Sequence, residues 1–277
     1  MNRLIFITCF IFLFVAQTQA QTEEIISTPR FRLGIEAGAD FLFGEKNKPS
    51  MIRENQSSYY HYDEDYDYYC GFIPNEQKMN VFYLGVKTEY LIHRRMSIAA
   101  GARFSFNQFV YDSDRDYFLW KISENKEDGT TNYVRIKDVT QKNYYVGIPI
   151  EIKFFPREID YPVRHYFIWG TVWNFLVNST NDVSFKNSNM NKYASDISNQ
   201  IEGLCNFHAT FYGGFGLKIG NTNHPFGNIE FHFPVLMFSD NGSNSLVKAS
   251  AAFGFGTQLS FQIPLCKKHQ LNYTVIN

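Results

Sequence analysis

The sequence predicts an all-β fold: an eight-stranded antiparallel transmembrane up-and-down β-barrel with periplasmic termini and long outer loops. Three observations predict it. They are an export signal at the start, a period-two alternation of apolar and polar residues through most of the rest, and connections that run alternately long and short.

The opening residues MNRLIFITCFIFLFVAQTQA carry Arg3 as a positive head, an apolar run from Leu4 to Val15 and a small-residue end at Gln19-Ala20. Residues 1–20 therefore read as a signal peptide cut after Ala20, because the apolar run is well short of the roughly 20 residues a membrane helix needs. Cys9 lies inside that run and no Cys stands near Ala20, so a lipid anchor is not expected. Residues 21–29 are expected as an N-terminal extension, 30–263 as the barrel domain and 264–277 as a periplasmic C-terminal tail. No other window is apolar for long enough to form a membrane helix, so an exported chain either stays in water or crosses a membrane as strands.

The alternation decides between these. From Lys248 to Ile263 the odd positions are Ala249, Ala251, Phe253, Phe255, Thr257, Leu259, Phe261 and Ile263, against even positions that include Gly254, Gly256, Gln258, Ser260 and Gln262. The segment Arg30 to Phe43 repeats it, with Phe31, Leu33, Ile35, Phe41 and Phe43 against Arg32, Gly34, Glu36, Gly38 and Asp40. Helical periodicity cannot produce such a pattern. Similar segments run near Met79–Ile92, Met96–Tyr111, Tyr144–Phe155, Arg164–Val177, Phe207–Ile219 and Phe226–Phe238, the Arg164–Val177 segment being apolar on both faces. Pro149 and Pro234 fall inside strands, where proline is best tolerated at bulges, so a bulge is expected at each.

The connections interleave. Gly44–Lys78, Asp112–Asn143, Asn178–Asn206 and the shorter Ser239–Val247 alternate with the tight His93–Arg95, Pro156–Val163 and Gly220–Pro225. Outer-membrane barrels place long loops outside and short turns in the periplasm. A soluble lipocalin-like barrel, with the apolar parity turned inward, is the weaker alternative. Aromatic girdles at the membrane interfaces are expected from Phe109, Tyr111, Tyr144, Tyr145, Phe154, Phe155, Tyr166, Trp169 and Trp173.

The inward parity carries Arg32, Lys87, Arg103, Lys153 and Lys218 against Glu36, Asp40, Glu89, Glu151 and Glu230. An eight-stranded barrel is just wide enough for its side chains to fill it, and buried charges must be paired, so these ten are expected to form a structural ion-pair network that closes the lumen. The functional alternative for the same residues is an ion-conducting path.

Composition narrows the function. The 26 Lys+Arg are matched by 27 Asp+Glu for a net charge of −1, so no basic stripe suggests nucleic acid. Cleavage would leave Cys70, Cys205 and Cys266, an odd number with no metal-type C-x-x-C pair, so free thiols are expected; the alternative is a Cys70–Cys205 pair, since both fall in expected outer loops of an oxidising compartment. The loop SSYYHYDEDYDYYC, Ser57 to Cys70, reads as a solvated outer loop; a hard-cation site or an aromatic contact surface are the alternatives, and its spacing fits no defined calcium loop. His208 and His232 lie on adjacent expected strands with Glu230 near the second, but a histidine and a carboxylate without a nucleophile in reach specify no reaction. The sequence therefore predicts no catalytic residue, no metal and no cofactor.

The segments YYVGIPIEIKFFP, HYFIWGTVWNFLV, FYGGFGLKIG, NIEFHFPVLMF and AAFGFGTQLSFQI, with the Ile148-Pro149 element, resemble the PorT-like outer-membrane β-barrel domain family over Arg30 to Ile263. The chain departs from the usual barrel ending by continuing after Pro264 with LCKKHQLNYTVIN. The resemblance implies a barrel in the cell outer membrane, and for some members a link to protein secretion. The expected role is thus a non-enzymatic structural or interaction module of the envelope, whose partners are outer-membrane lipid and envelope or secretion-complex proteins. The alternative is an outer-membrane lipid-modifying enzyme or small-ligand binder acting at the barrel rim.

Overall fold

The computed structural model describes residues 30–47, 49–53, 76–112, 116–124, 131–157, 161–239 and 245–265. The expected signal peptide and N-terminal extension, the Ser57–Cys70 loop, and the tail from Cys266 onward lie outside the described residues.

Ten strands form one antiparallel sheet: β1 (Phe31–Lys46), β2 (Ile52–Arg53), β3 (Glu76–His93), β4 (Met96–Asp112), β5 (Phe118–Glu124), β6 (Thr131–Phe154), β7 (Val163–Phe185), β8 (Phe207–Ile219), β9 (Phe226–Ser239) and β10 (Val247–Pro264). β1, β3, β4, β6, β7, β8, β9 and β10 each pair with the next, and β10 pairs back onto β1 with Leu33 opposite Ile263, so eight strands close an up-and-down barrel. Closure leaves this wall without an open edge, and every strand finds its ladder partners inside the chain.

The alternation read from the sequence is the alternation of the wall, and its sense is the reverse of a soluble protein's. Ile35 is 57% exposed and Leu84 62%, whereas Arg32 and Glu36 are each 1% exposed. Phe104, Ile148, Phe175, Phe215, Ile229 and Leu259 continue the exposed apolar belt over the other six wall strands. A continuous belt of this kind far exceeds the apolar patches that water-soluble monomers tolerate and is the lipid-facing surface of a membrane barrel. The soluble alternative, with apolar side chains inside, is thereby corrected.

Three expectations about the wall change. The connection expected at 112–143 contains strands: β6 starts at Thr131, β5 pairs with its first part, and β2 pairs with β5. β7 likewise runs on to Phe185, although its exposed apolar belt ends at Val177. The polar flanks hid this continuation, but Val134 and Ile136 are buried between exposed Asn132, Arg135 and Lys137, so the alternation persists beyond the belt. Second, the bulge expected at Pro234 is present, because the register shifts on both sides of Phe233-Pro234, against Gly254/Gly256 and against Tyr212/Gly214. At Pro149 there is none: Ala100↔Ile150 and Arg103↔Gly147 stay in one register, as does Pro149↔Val172, so the missing N–H interrupts the ladder without inserting a residue. Third, the aromatic girdle is corrected. Phe109, Tyr111, Tyr145, Phe155 and Tyr166 are buried inside the barrel or its extension, while Trp169 and Trp173 lie outside in the middle of the belt of β7. Tyr144 and Phe154 are only half-buried, Tyr144 against Phe104 and Phe106.

The end of the barrel opposite the short turns is closed by packing. Between β7 and β8 the chain forms a 3-10 turn (Ser188–Tyr193) and a short α-helix (Ala194–Ser198), and Ile197, Ile201 and Leu204 join a core with Trp120, Val139 and Tyr145. Polar contacts pin this cap: Trp120 Nε1 donates to Gln200 Oε1 at 2.9 Å, and Asn181 Nδ2 to the carbonyls of Ser198 and Ile201 at 3.1 and 3.2 Å. Inward-facing Leu42, Met79, Val81, Val235 and Met237 belong to the same core, which shares this half of the lumen with buried polar Asn107, Asn143, Asn174 and His208.

Candidate functional site

The other half of the lumen holds the charges. Arg32 meets Glu89 at 2.8 Å, directly across from it on β3. Lys153 lies 3.6 Å from Glu89, 3.9 Å from Glu151 and 2.7 Å from Glu230. Lys87 bridges Glu151 and Glu36, both at 3.0 Å, and Arg103 bridges Glu36 at 2.8 Å and Glu151 at 3.6 Å. Four cations and four carboxylates thus form one connected and charge-balanced network. All eight side chains are buried, where unpaired ions are strongly unfavourable.

A recurring local device carries the reach across strands. Glu36, Gly85 and Arg103 are successive cross-strand partners on β1, β3 and β4, and Glu36 passes over the glycine to the arginine. Tyr212 passes over Gly170 to donate to Glu151 Oε1 at 2.8 Å, and Tyr166 passes over Gly216 to donate to Glu230 Oε1 at 2.6 Å. Tyr83 passes over Gly38 to donate to Gln258 Oε1 at 3.2 Å, and Gln258 Nε2 in turn donates to Glu230 Oε2 at 2.6 Å. A Cβ on Gly38, Gly170 or Gly216 would meet the overlying tyrosine ring or hydroxyl at 2.3–2.4 Å, so each glycine is the seat of a tyrosine.

Of the ten residues read as a lumen network, the structure joins eight. Asp40 is buried on the cap side of them, with no salt bridge among the described residues, its Oδ1 1.9 Å from where a Cβ on Gly256 would sit. Lys218 is buried at the turn end, where its Nζ donates to Thr222 Oγ1 and lies over the Phe226 ring. Each borders the network, Asp40 on the cap side of Arg103 and Lys218 at the turn end, which parity alone cannot register. The sequence reading left out Tyr83, Tyr166, Tyr212 and Arg164, all of which share the inward parity of charged neighbours on their strands.

The candidate histidines do not form a reactive set. His232 pairs across β8 with Gly214, while His208 lies opposite Ser239, so the two do not face each other. His232 Nε2 is 3.5 Å from Glu230 and its ring stacks on Tyr212. Cys205 is buried with its sulfur 3.8 Å from His208 Nδ1 and 3.6 Å from the Tyr145 hydroxyl, beneath the cap. Cys70, its alternative disulfide partner in the sequence reading, lies outside the described residues. A void of about 20 Å³ lined by Asp40, Tyr83, Arg103, Ser105, Asn174 and His208 has room for one or two waters. Beyond the belt, Lys186 at 2.9 Å from Asp116 holds that exposed carboxyl below its ordinary range by hydrogen bonding and charge.

No protein-family model matches the chain, and no curated protein matches it in sequence. Among solved structures it is similar to the Pseudomonas aeruginosa outer membrane protein OprG, at 10% identity and a TM-score of 0.35 over 83% of this chain and 95% of that one. It is also similar to the N-terminal β-barrel domain of P. aeruginosa OprF (10% identity, TM-score 0.30, 84% and 97% covered) and to the Escherichia coli outer membrane protease OmpT (10% identity, TM-score 0.27, 89% and 99% covered). At these scores the likenesses carry no argument of their own. The strand pairing and the outward apolar belt show by themselves that the chain is an outer-membrane-type β-barrel.

Proposed function

We propose that this chain resides in the cell outer membrane as a non-enzymatic structural or interaction module of the envelope. The observation that carries the reading is a lumen filled twice over, by the eight-residue ion network in one half and by the capped apolar core in the other. A barrel filled in this way offers its surroundings an outer surface rather than a passage. That surface includes the wall that β5, β6 and β7 extend past the lipid belt, together with the cap over it. Loops and edges on a rigid scaffold are where partner contacts concentrate. The PorT-like resemblance, which rests on sequence pattern, supports envelope or secretion-complex proteins as those partners.

Planar-bilayer recording tests the reading. The purified full chain is expected to give no steady single-channel current, and reproducible conductance steps would overturn it. Crosslinking in intact outer membranes is expected to recover envelope proteins on the extended wall.

A further inference from the structure

The end of the lumen that carries the short turns holds two cations outside the balanced network, Arg164 and Lys218, next to Arg32, which belongs to it. Arg164 stands at the start of β7 with the inward parity of Tyr166, and it is 4% exposed. Its Nε, Nη1 and Nη2 are all buried without a hydrogen-bond partner, and it has no salt bridge among the described residues. The Tyr161 ring covers the guanidinium at 3.9 Å, and Tyr161 itself is exposed. Directly across from Arg164 on β8 is Lys218, another buried cation. Lys218 and Arg32 both pack over the Phe226 ring, at 4.8 and 5.4 Å from its centroid, and Arg32 has its own Nε and Nη2 without partners.

A guanidinium cannot shed its proton, so a buried one without an anion is strongly unfavourable. The unsatisfied atoms of Arg164 and Arg32 are all donors on cations. The two guanidinium groups offer five unpartnered nitrogens, which suits a tetrahedral anion with several acceptor oxygens better than a planar carboxylate with two. Val163 and Ile219, the last members of the lipid belt beside Arg164 and Lys218, put the cluster at the depth where lipid phosphates lie.

We infer that the turn-side mouth of the barrel is a binding site for a phosphate-class oxyanion, held by Arg164 with Lys218 and Arg32 around it. The inference is independent of the module reading above. The anion is either a free phosphate or the headgroup of a lipid.

The test is calorimetric titration of the purified full chain in detergent, with sodium phosphate in one arm and phosphatidic acid in mixed micelles, against diacylglycerol, in the other. Saturable binding is expected in at least one arm, at least tenfold weaker in Arg164→Gln and unchanged in Lys142→Gln, which alters an exposed ion pair on the extended wall. Binding of inorganic phosphate assigns a free anion; binding of phosphatidic acid alone assigns a headgroup. Should Arg164→Gln fail to give a heat-modifiable gel band, Arg164→Lys, which keeps the charge and loses the fork, takes its place with the same expected weakening. Absence of binding in both arms, or equal affinity in the Arg164 variant, would overturn the proposal.

Discussion

Replacing Glu230 by methionine is expected to destabilise the folded barrel by about 3–5 kcal/mol, the range for removing one partner from a buried ion pair. The size follows from what Glu230 satisfies: it accepts from Lys153 Nζ at 2.7 Å, from the Tyr166 hydroxyl at 2.6 Å and from Gln258 Nε2 at 2.6 Å. Methionine is close in volume, so the loss is of partners rather than of packing. Lys153 would keep only the more distant Glu89 at 3.6 Å and Glu151 at 3.9 Å. Replacing Lys153 by methionine in the same chain should recover a large part of the loss, because Glu89 retains Arg32 and Glu151 retains Lys87. Urea titration of the barrel refolded in vesicles measures both. A single variant within about 0.5 kcal/mol of the parent, the range of an unremarkable surface change, would show that the network does not hold the lumen together.

Gly170→Val is expected to cost about 3 kcal/mol by a different route. A Cβ at Gly170 would lie 2.4 Å from Tyr212 Cζ and 2.6 Å from its hydroxyl, so the tyrosine must leave its seat and release Glu151. Overpacking contributes about 1–3 kcal/mol and a lost hydrogen bond to a charged group about 1.5–3 kcal/mol, with part of each relieved by the same movement. Tyr212→Ala empties the space, so the double variant should be more stable than the sum of the two single losses predicts, by about 1 kcal/mol or more. Strict additivity in the same urea titrations would contradict the seating of Tyr212 on Gly170.

The wall was legible because a period-two pattern is local. Each of the eight expected segments coincides with the core of a wall strand, and Arg32, Glu36, Lys87 and Glu89 face inward as their parity required. The ambiguous segment at 164–177 is explained by the structure: Ile168 and Val172 face the lumen while Trp169 and Trp173 face outward, so both parities are apolar. What parity could not supply is position along the axis. Glu36 finds Arg103 two strands away because Gly85 stands between them, and that depends on register, which single segments do not encode. For the same reason Asp40 and Lys218 were grouped with partners they do not reach, and Tyr83, Tyr166 and Tyr212, inward but aromatic, were not grouped with the charges they cap. The extension of β6 and β7 escaped notice because beyond the lipid belt the outer parity turns polar and the contrast that marks a membrane strand fades.

The central claim is that the apolar parity faces hydrocarbon and the charged parity a closed interior. The three tryptophans test it directly, since Trp169 and Trp173 point outward in the belt while Trp120 is buried under the cap. In vesicles of chain-brominated lipid the parent protein is predicted to lose most of its tryptophan fluorescence, and the Trp169→Phe/Trp173→Phe double variant, which keeps Trp120, is predicted to lose little. Unquenched parent fluorescence, or stronger quenching in the double variant than in the parent, would contradict the assignment of the two faces.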